Sequence, residues 1–216
     1  MAKKSLAERL KMIDNISKKI NEKADKDIAG RVAKSEAMQE RLKAKFIATP
    51  SMNLNEAIGG GWPVGNISIV SGEEDSGKTG ILLETIGKHH KENPDFIAVW
   101  LESEASLKEN TLNMFGIDPE RFILIEHDRE GAGEEAVNRL EAYLAAGVAD
   151  MVVINSLKCL VPSEEFKKDM NSLQVGAQSR MNAKMMRKIT AIVEENEIAM
   201  VIVQHLTTQI GKKICA

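Results

Sequence analysis

Hydrophobic positions along this chain follow two rhythms. Leu6, Leu10, Ile13, Ile16 and Ile20 recur at spacings of three and four, the stripe of an amphipathic helix, so the N-terminal segment is predicted to be a helical arm. Gly30 interrupts that pattern, and Ile28, Val32 and Met38 mark a weaker second segment. Residues 47–66 carry Pro50, Gly59, Gly60, Gly61, Pro63 and Gly65, a turn-rich lead-in. Beyond Asn66 short apolar runs alternate with helical patterns. Strands are predicted at 67–70, 96–101, 121–125, 150–154 and 198–203, and helices at 78–91, 133–146 and 172–196. Strands that are apolar almost throughout, separated by helices, predict an α/β fold with a mainly parallel sheet covered by helices on both faces. The expected division is an arm over residues 1–46 and a core over residues 47–216.

Composition refines this reading. A chain of 216 residues, 43% hydrophobic but only 4% aromatic, suffices for one sizeable and mostly aliphatic core. The net charge of −3 hides an uneven distribution. Residues 1–45 hold 13 Lys/Arg against 7 Asp/Glu, and the rest hold 16 against 25. A +6 arm joined to a −9 body fits a solvated Lys-rich helix, a nucleic-acid contact or a contact between protomers. Cys159 and Cys215 are too few for a disulfide framework or a four-cysteine zinc site, and they read as reduced thiols of a cytoplasmic protein. No apolar run approaches the ~18 residues that span a bilayer. The basic N-terminus is not followed by the apolar stretch of a secretory signal, so no membrane partner is expected.

The most informative string is Gly72-Glu73-Glu74-Asp75-Ser76-Gly77-Lys78-Thr79, a G-x-x-x-x-G-K-T pattern between a predicted strand and a predicted helix. Glycines let several backbone N–H groups turn toward one anion, and the helix N-terminus adds partial positive charge. In such a loop the lysine reaches the β- and γ-phosphates and the threonine hydroxyl holds Mg²⁺. Glu73, Glu74 and Asp75 bring negative charge close to the same phosphates.

A phosphate loop does not fix the reaction, so the other strand ends must. The second strand runs out through Glu102-Ser103-Glu104, and a carboxylate there overlooks the crevice where ligands of parallel sheets bind. Either glutamate can orient an attacking water. The fourth strand ends in Asn155-Ser156, where many P-loop enzymes place an Asp beside the magnesium shell. The fifth ends in Gln204-His205. An amide there can sense a γ-phosphate; the plain reading of His205 is a hydrogen-bonded surface histidine.

These strings together resemble the RecA/RadA family of recombinases. The resemblance runs from the lead-in Thr49-Pro50-Ser51-Met52-Asn53-Leu54, through Gly59-Gly60-Gly61-Trp62-Pro63 and the P-loop, to Leu101-Glu102-Ser103-Glu104-Ala105. It continues over Val152-Val153-Ile154-Asn155-Ser156-Leu157, over Gly176, Arg180, Met181, Met186, Arg187 and Lys188, and over Val203-Gln204-His205 with Ile210-Gly211. The strand-end Gln-His is also similar to phage recombinases of the UvsX type.

The resemblance implies a RecA-type P-loop ATPase core with strand order 3-2-4-1-5, ATP and Mg²⁺ as cofactors, and single-stranded DNA as partner. It implies Glu104, Lys78 and Gln204 as catalytic residues, Gln204 being the γ-phosphate sensor. Gly72, Glu73, Glu74, Asp75, Ser76, Gly77, Lys78, Thr79 and Gly80 would cradle the nucleotide, and Thr79 with Asn155 would serve the metal. Lys167 and Lys168 fall on the first DNA loop, near residues 163–176, and Arg180 and Arg187 fall where the family meets the DNA backbone. Seven residues is nearly two helical turns, so both guanidiniums point the same way. The arm would pack on a neighbour in a head-to-tail homo-oligomeric filament.

Three departures qualify the match. Asn155 stands where an Asp is usual, so slow hydrolysis is expected, repaired by Asn155→Asp. Thr111 stands where bacterial members often carry an adenine-stacking Tyr. The chain ends at Ala216, whereas the second DNA loop would begin near Thr207, so a form cut before or within that loop is expected. The competing readings are a degenerate nucleotide-binding module that assembles with or regulates a full-length recombinase, and a motor or clock-type ATPase on the same core.

Overall fold

The computed structural model describes residues 5–25, 28–36, 39, 42–127, 133–166, 176–206, 208–209 and 212–213. The chain divides into two units, Met1–Lys45 and Phe46–Ala216.

In the first unit, helix α1 (Leu6–Ala24) starts at a capping box. The Ser5 hydroxyl accepts from the Glu8 backbone N–H at 3.3 Å, and the Glu8 carboxylate accepts from the Ser5 N–H at 2.9 Å. The predicted apolar stripe is present but uncovered within the unit: Leu6 is 65% and Ile16 55% exposed, and α1 buries no residue. Polar bonds hold the following segment instead. Asn21 accepts from the backbone of Ile28 and Ala29. Asp14 accepts from Arg31 Nε and Nη2 and from Lys34 Nζ, all at 2.8 Å. The bonds from Lys34 and then Arg31 hold the Asp14 carboxyl below the usual carboxylate range. In the weaker second segment a 3₁₀ turn covers Val32–Lys34, Glu36 and Gln39 are helical, and Met38 lies outside the described residues.

The second unit opens with a two-residue antiparallel pair, β1 (Phe46–Ile47) with β2 (Trp62–Pro63). Between them lies helix α2 (Met52–Ile58), a short element inside what composition marks only as turns. Ser51 caps its start, and Gly59 at φ +83° ends it in the left-handed conformation that glycine tolerates.

Five strands form the central sheet: β3 (Asn66–Gly72), β4 (Ala98–Glu102), β5 (Phe122–Glu126), β6 (Met151–Asn155) and β7 (Ala199–His205). Every neighbouring pair is parallel, as the apolar runs predict. The order is β3-β7-β6-β4-β5. This corrects the expected order at one place: the last strand lies between the P-loop strand and β6, not outside the P-loop strand. The long helix that follows β6 returns the chain beside it, and β7 then pairs with β3 over seven residues, from Asn66 opposite Ala199 to Gly72 opposite His205. Thr208–Gln209 (β8) and Lys212–Lys213 (β9) form a small antiparallel pair after β7.

Helices cover both faces. On one, α3 (Lys78–Glu92) packs Leu82, Leu83 and Ile86 against Trp100, Val153 and Val201. On the other, α5 (Gly133–Ala146) and α7 (Ala177–Glu195) pack Leu140, Leu144, Met185 and Ile189 against Leu101, Ile154 and Ile202. Two short helices, α4 (Glu109–Met114) and α6 (Ser163–Phe166), lie in connections where the sequence shows no apolar period. The α4 end sits close on α3: a Cβ at Gly87 would overlap the Phe115 carbonyl oxygen, so only glycine fits there. No helix among the described residues is long and apolar enough to cross a membrane.

Candidate nucleotide-binding site

Strand alternation decides which side chains reach the α3 face of the sheet. Ala98 and Trp100 on β4 face it, and so does Glu102. Met151 and Val153 on β6 face it, and so does Asn155. Val201 and Val203 on β7 face it, and so does His205. At the carboxyl ends of the strands these polar groups meet the loop that opens α3, where parallel-sheet folds bind ligands.

The loop has the predicted form. Gly77 at φ +85° is the N-cap of α3, and Thr79 and Gly80 lie in its first turn. Lys78 is only 7% exposed. Its ammonium folds over the loop, donating to the carbonyl oxygens of Gly72 at 3.2 Å and Glu73 at 2.5 Å. Beside the loop is a cavity of about 630 Å³, within the range of ordinary ligand sites. Its floor runs from Glu74 through Asp75, Ser76, Gly77, Lys78 and Thr79 to Gly80. Its other walls come from Glu104 after β4, from Leu107 and Thr111 near α4, from Lys158 and Cys159 after β6, and from His205 on β7. Leu107 and the Thr111 methyl offer apolar surface to a flat ring, and the loop end offers backbone N–H groups to an anion.

The two candidate glutamates part company. Glu102 is buried beneath the cavity and accepts from Trp100 Nε1 at 3.0 Å and from the Glu104 backbone N–H at 2.7 Å. Glu104 lines the cavity, with Oε1 at 2.7 Å from His205 Nε2. Sequence reasoning passed over His205 in favour of Gln204. The cavity is lined by His205, and Gln204 points to the other face of β7. Asn155 is fully buried; its Oδ1 accepts from Thr79 Oγ1 at 3.4 Å. These two oxygens lie together at the start of α3 and fit a hard, oxygen-seeking cation such as Mg²⁺.

On the outer face of α7, Arg180 and Arg187 are both exposed on one stripe, with Lys184 between them at the same helical phase. Lys184 was not singled out from sequence, although its i+4 spacing from Arg180 signals it. Arg180 Nη2 also meets Glu164 Oε2 at 2.6 Å. Lys167 and Lys168 lie outside the described residues.

Fold and loop together define a P-loop α/β core. The profile of the RecA N-terminal domain matches residues 11–215, and the chain belongs to the RecA family. It is 31% identical over 207 residues to Protein RecA of Aquifex aeolicus (strain VF5), covering 93% of this chain and 59% of that protein. It is 30% identical over 206 residues to Protein RecA of Sulfurovum sp. (strain NBC37-1), covering 95% and 57%. With Protein RecA of Aquifex pyrophilus the identity is 30% over 205 residues, covering 92% and 58%. The chain thus spans less than two thirds of the length of these relatives.

Proposed function

We propose that this chain is an ATP-dependent, single-stranded-DNA-binding recombinase of the RecA type, acting in homologous recombination and repair in the cytoplasm. The observation that carries the reading is convergence: Lys78 and Thr79 from one segment and Glu104 from another line a single cavity. In it, Lys78 exchanges its loop carbonyls for the β- and γ-phosphates, a charge-assisted contact of the strong kind. Thr79 and Asn155 would hold Mg²⁺, which when bound neutralises phosphate charge. Glu104 accepts a hydrogen bond from the attacking water and aims it at the γ-phosphorus; the bond to the β-phosphate oxygen breaks, giving ADP and phosphate. His205, hydrogen-bonded to Glu104 at 2.7 Å, holds it in place and takes the sensor part first expected of Gln204. The stripe Arg180–Lys184–Arg187 offers a sequence-blind track for DNA phosphates. The uncovered stripe of α1 supplies a surface for a neighbouring protomer in a head-to-tail filament.

The test is ATP turnover with and without single-stranded DNA. DNA-stimulated turnover, abolished by Glu104→Gln with ATP binding retained, is the expected result. ATP binding without turnover would replace the recombinase by an assembling or regulatory module. Lys78→Ala should remove most ATP affinity from a folded chain; unchanged binding by calorimetry would remove the P-loop reading. Arg187→Ala should lower the slope of log K against log salt by about 0.7 on single strands, and an unchanged slope would clear α7 of DNA.

A further inference from the structure

Asn155 stands where the resemblance leads one to expect an Asp, and its surroundings are specific. Its amide oxygen accepts from Thr79 Oγ1 at 3.4 Å, while its amide nitrogen donates to Glu102 Oε2 at 3.1 Å and to Ser106 Oγ at 3.3 Å. Glu102, 4% exposed, receives donors on both oxygens: Trp100 Nε1, the Glu104 N–H and the Asn155 amide, with Ser106 at longer range. A carboxylate in that role only accepts. It therefore admits one orientation of its buried neighbour, with nitrogen toward Glu102 and oxygen toward Thr79. The reverse orientation would set oxygen against oxygen at about 3 Å and aim an NH₂ group at the place a cation needs.

We propose that Glu102 is a positioning residue that fixes Asn155 with its oxygen toward the metal end of the cavity, so that the Glu102–Asn155 pair takes the place of a single aspartate. The inference rests on the ATP·Mg²⁺ reading of the cavity. The negative charge is not lost; it sits one residue further back and acts through the amide it polarises, since hydrogen bonds in series reinforce one another. Groups behind a metal ligand that set its orientation matter to affinity nearly as much as the ligand itself. This reverses the expectation drawn from sequence. An Asp at position 155 would bring a second carboxylate to about 3 Å from Glu102 in a buried site, and like charges there repel strongly. Asn155→Asp is then damaging, not restorative.

The experiment is calorimetric titration of the full chain with ATP, once with Mg²⁺ and once with EDTA. Glu102→Gln should reduce the Mg²⁺-dependent gain in ATP affinity by about 10–100-fold and leave affinity in EDTA unchanged. Asn155→Asp should show a loss of the same kind. Combining Glu102→Gln with Asn155→Asp restores a carboxylate–amide pair in the reverse sense, and should recover part of the gain. A merely structural role would lower both affinities together and show no recovery, which would overturn the proposal. So would Asn155→Asp alone matching or exceeding the natural chain in Mg²⁺. If Glu102→Gln does not fold, Glu102→Asp takes its place, drawing the carboxylate back from the Asn155 amide: the same Mg²⁺-specific loss supports the proposal and an unchanged gain overturns it. A natural chain that binds no ATP in either buffer removes the ATP reading and this inference with it; variants that bind ATP with an unaltered Mg²⁺ gain remove this inference alone.

Discussion

Helices α1 and α7 have the same length, 19 residues each, and both carry an apolar stripe. Yet α7 buries Ala177, Met181, Met185, Ile189 and Val193, and α1 buries nothing. The difference lies in connection, not in pattern. Helix α7 joins two neighbouring parallel strands, β6 and β7, and a crossover of that kind returns across the sheet and lays its stripe on it. Helix α1 joins no strands, and its unit is tied by hydrogen bonds that Asp14 and Asn21 accept. An apolar stripe thus announces a face to be covered; only topology says by what.

The largest test of this contrast is truncation on each stripe. Ile189→Ala should destabilise the chain by about 2–5 kcal/mol, the usual cost of emptying a buried site. Ile16→Ala should stay within about 0.5 kcal/mol, as exposed substitutions do. Urea denaturation measures both, and equal losses would end the comparison. Ion pairs should differ less. Lys188 on α7 meets Glu141 on α5 at 2.7 Å, whereas Lys18 and Glu22 on α1 stand 3.9 Å apart and largely exposed. Lys188→Ala is expected to cost at most about 1 kcal/mol, and Lys18→Ala nothing measurable.

The finest contrast is read as a slope against pH. In the core, His90 is 4% exposed, and its Nδ1 accepts from the Asp118 N–H at 3.0 Å. Burial first, and then the nearby Arg121 charge, push its pKa below the ordinary histidine value; Asp118 opposes and His89 adds to the shift. A group lowered on folding stabilises fully above its unfolded pKa, near 6.5 for histidine, and that share is lost as pH falls toward the folded value. Melting temperature should therefore begin to decline below about pH 6.5, and His90→Asn, which keeps an acceptor for Asp118, should flatten that decline. In the arm, the lowered pKa of Asp14 keeps its share until pH falls through the acidic carboxylate range. An arm signal that melts out together with His90 would contradict this separation.

Much of the fold was legible because it is local. Apolar runs and helical periods located all five strands, and α5 falls on the predicted 133–146. What escaped was non-local or lacked a period. Strand order depends on which strands pair, and nothing within Ile198–Val203 says that β7 inserts beside β3. The same run is apolar on both faces, so it offers no alternation by which to tell that His205, not Gln204, faces the loop; a slip of one residue exchanges the faces. The loop over residues 72–79 was legible because its pattern lies in consecutive residues. The hydrogen-bond network around Glu102 was not, since Trp100 and Ser106 meet Asn155 only when β4 and β6 pair.

The contact at Gly87 seats the end of α4 on the helix that also opens the cavity. Helix α3 carries Lys78, which lines the cavity, in its first turn and receives the Phe115 carbonyl at Gly87, nine residues on, or about 14 Å along its axis. The loop floor and the Thr111 wall on α4 are thus both braced on one helix. A side chain at position 87 would push the end of α4, and with it the Thr111 wall, away from the loop floor.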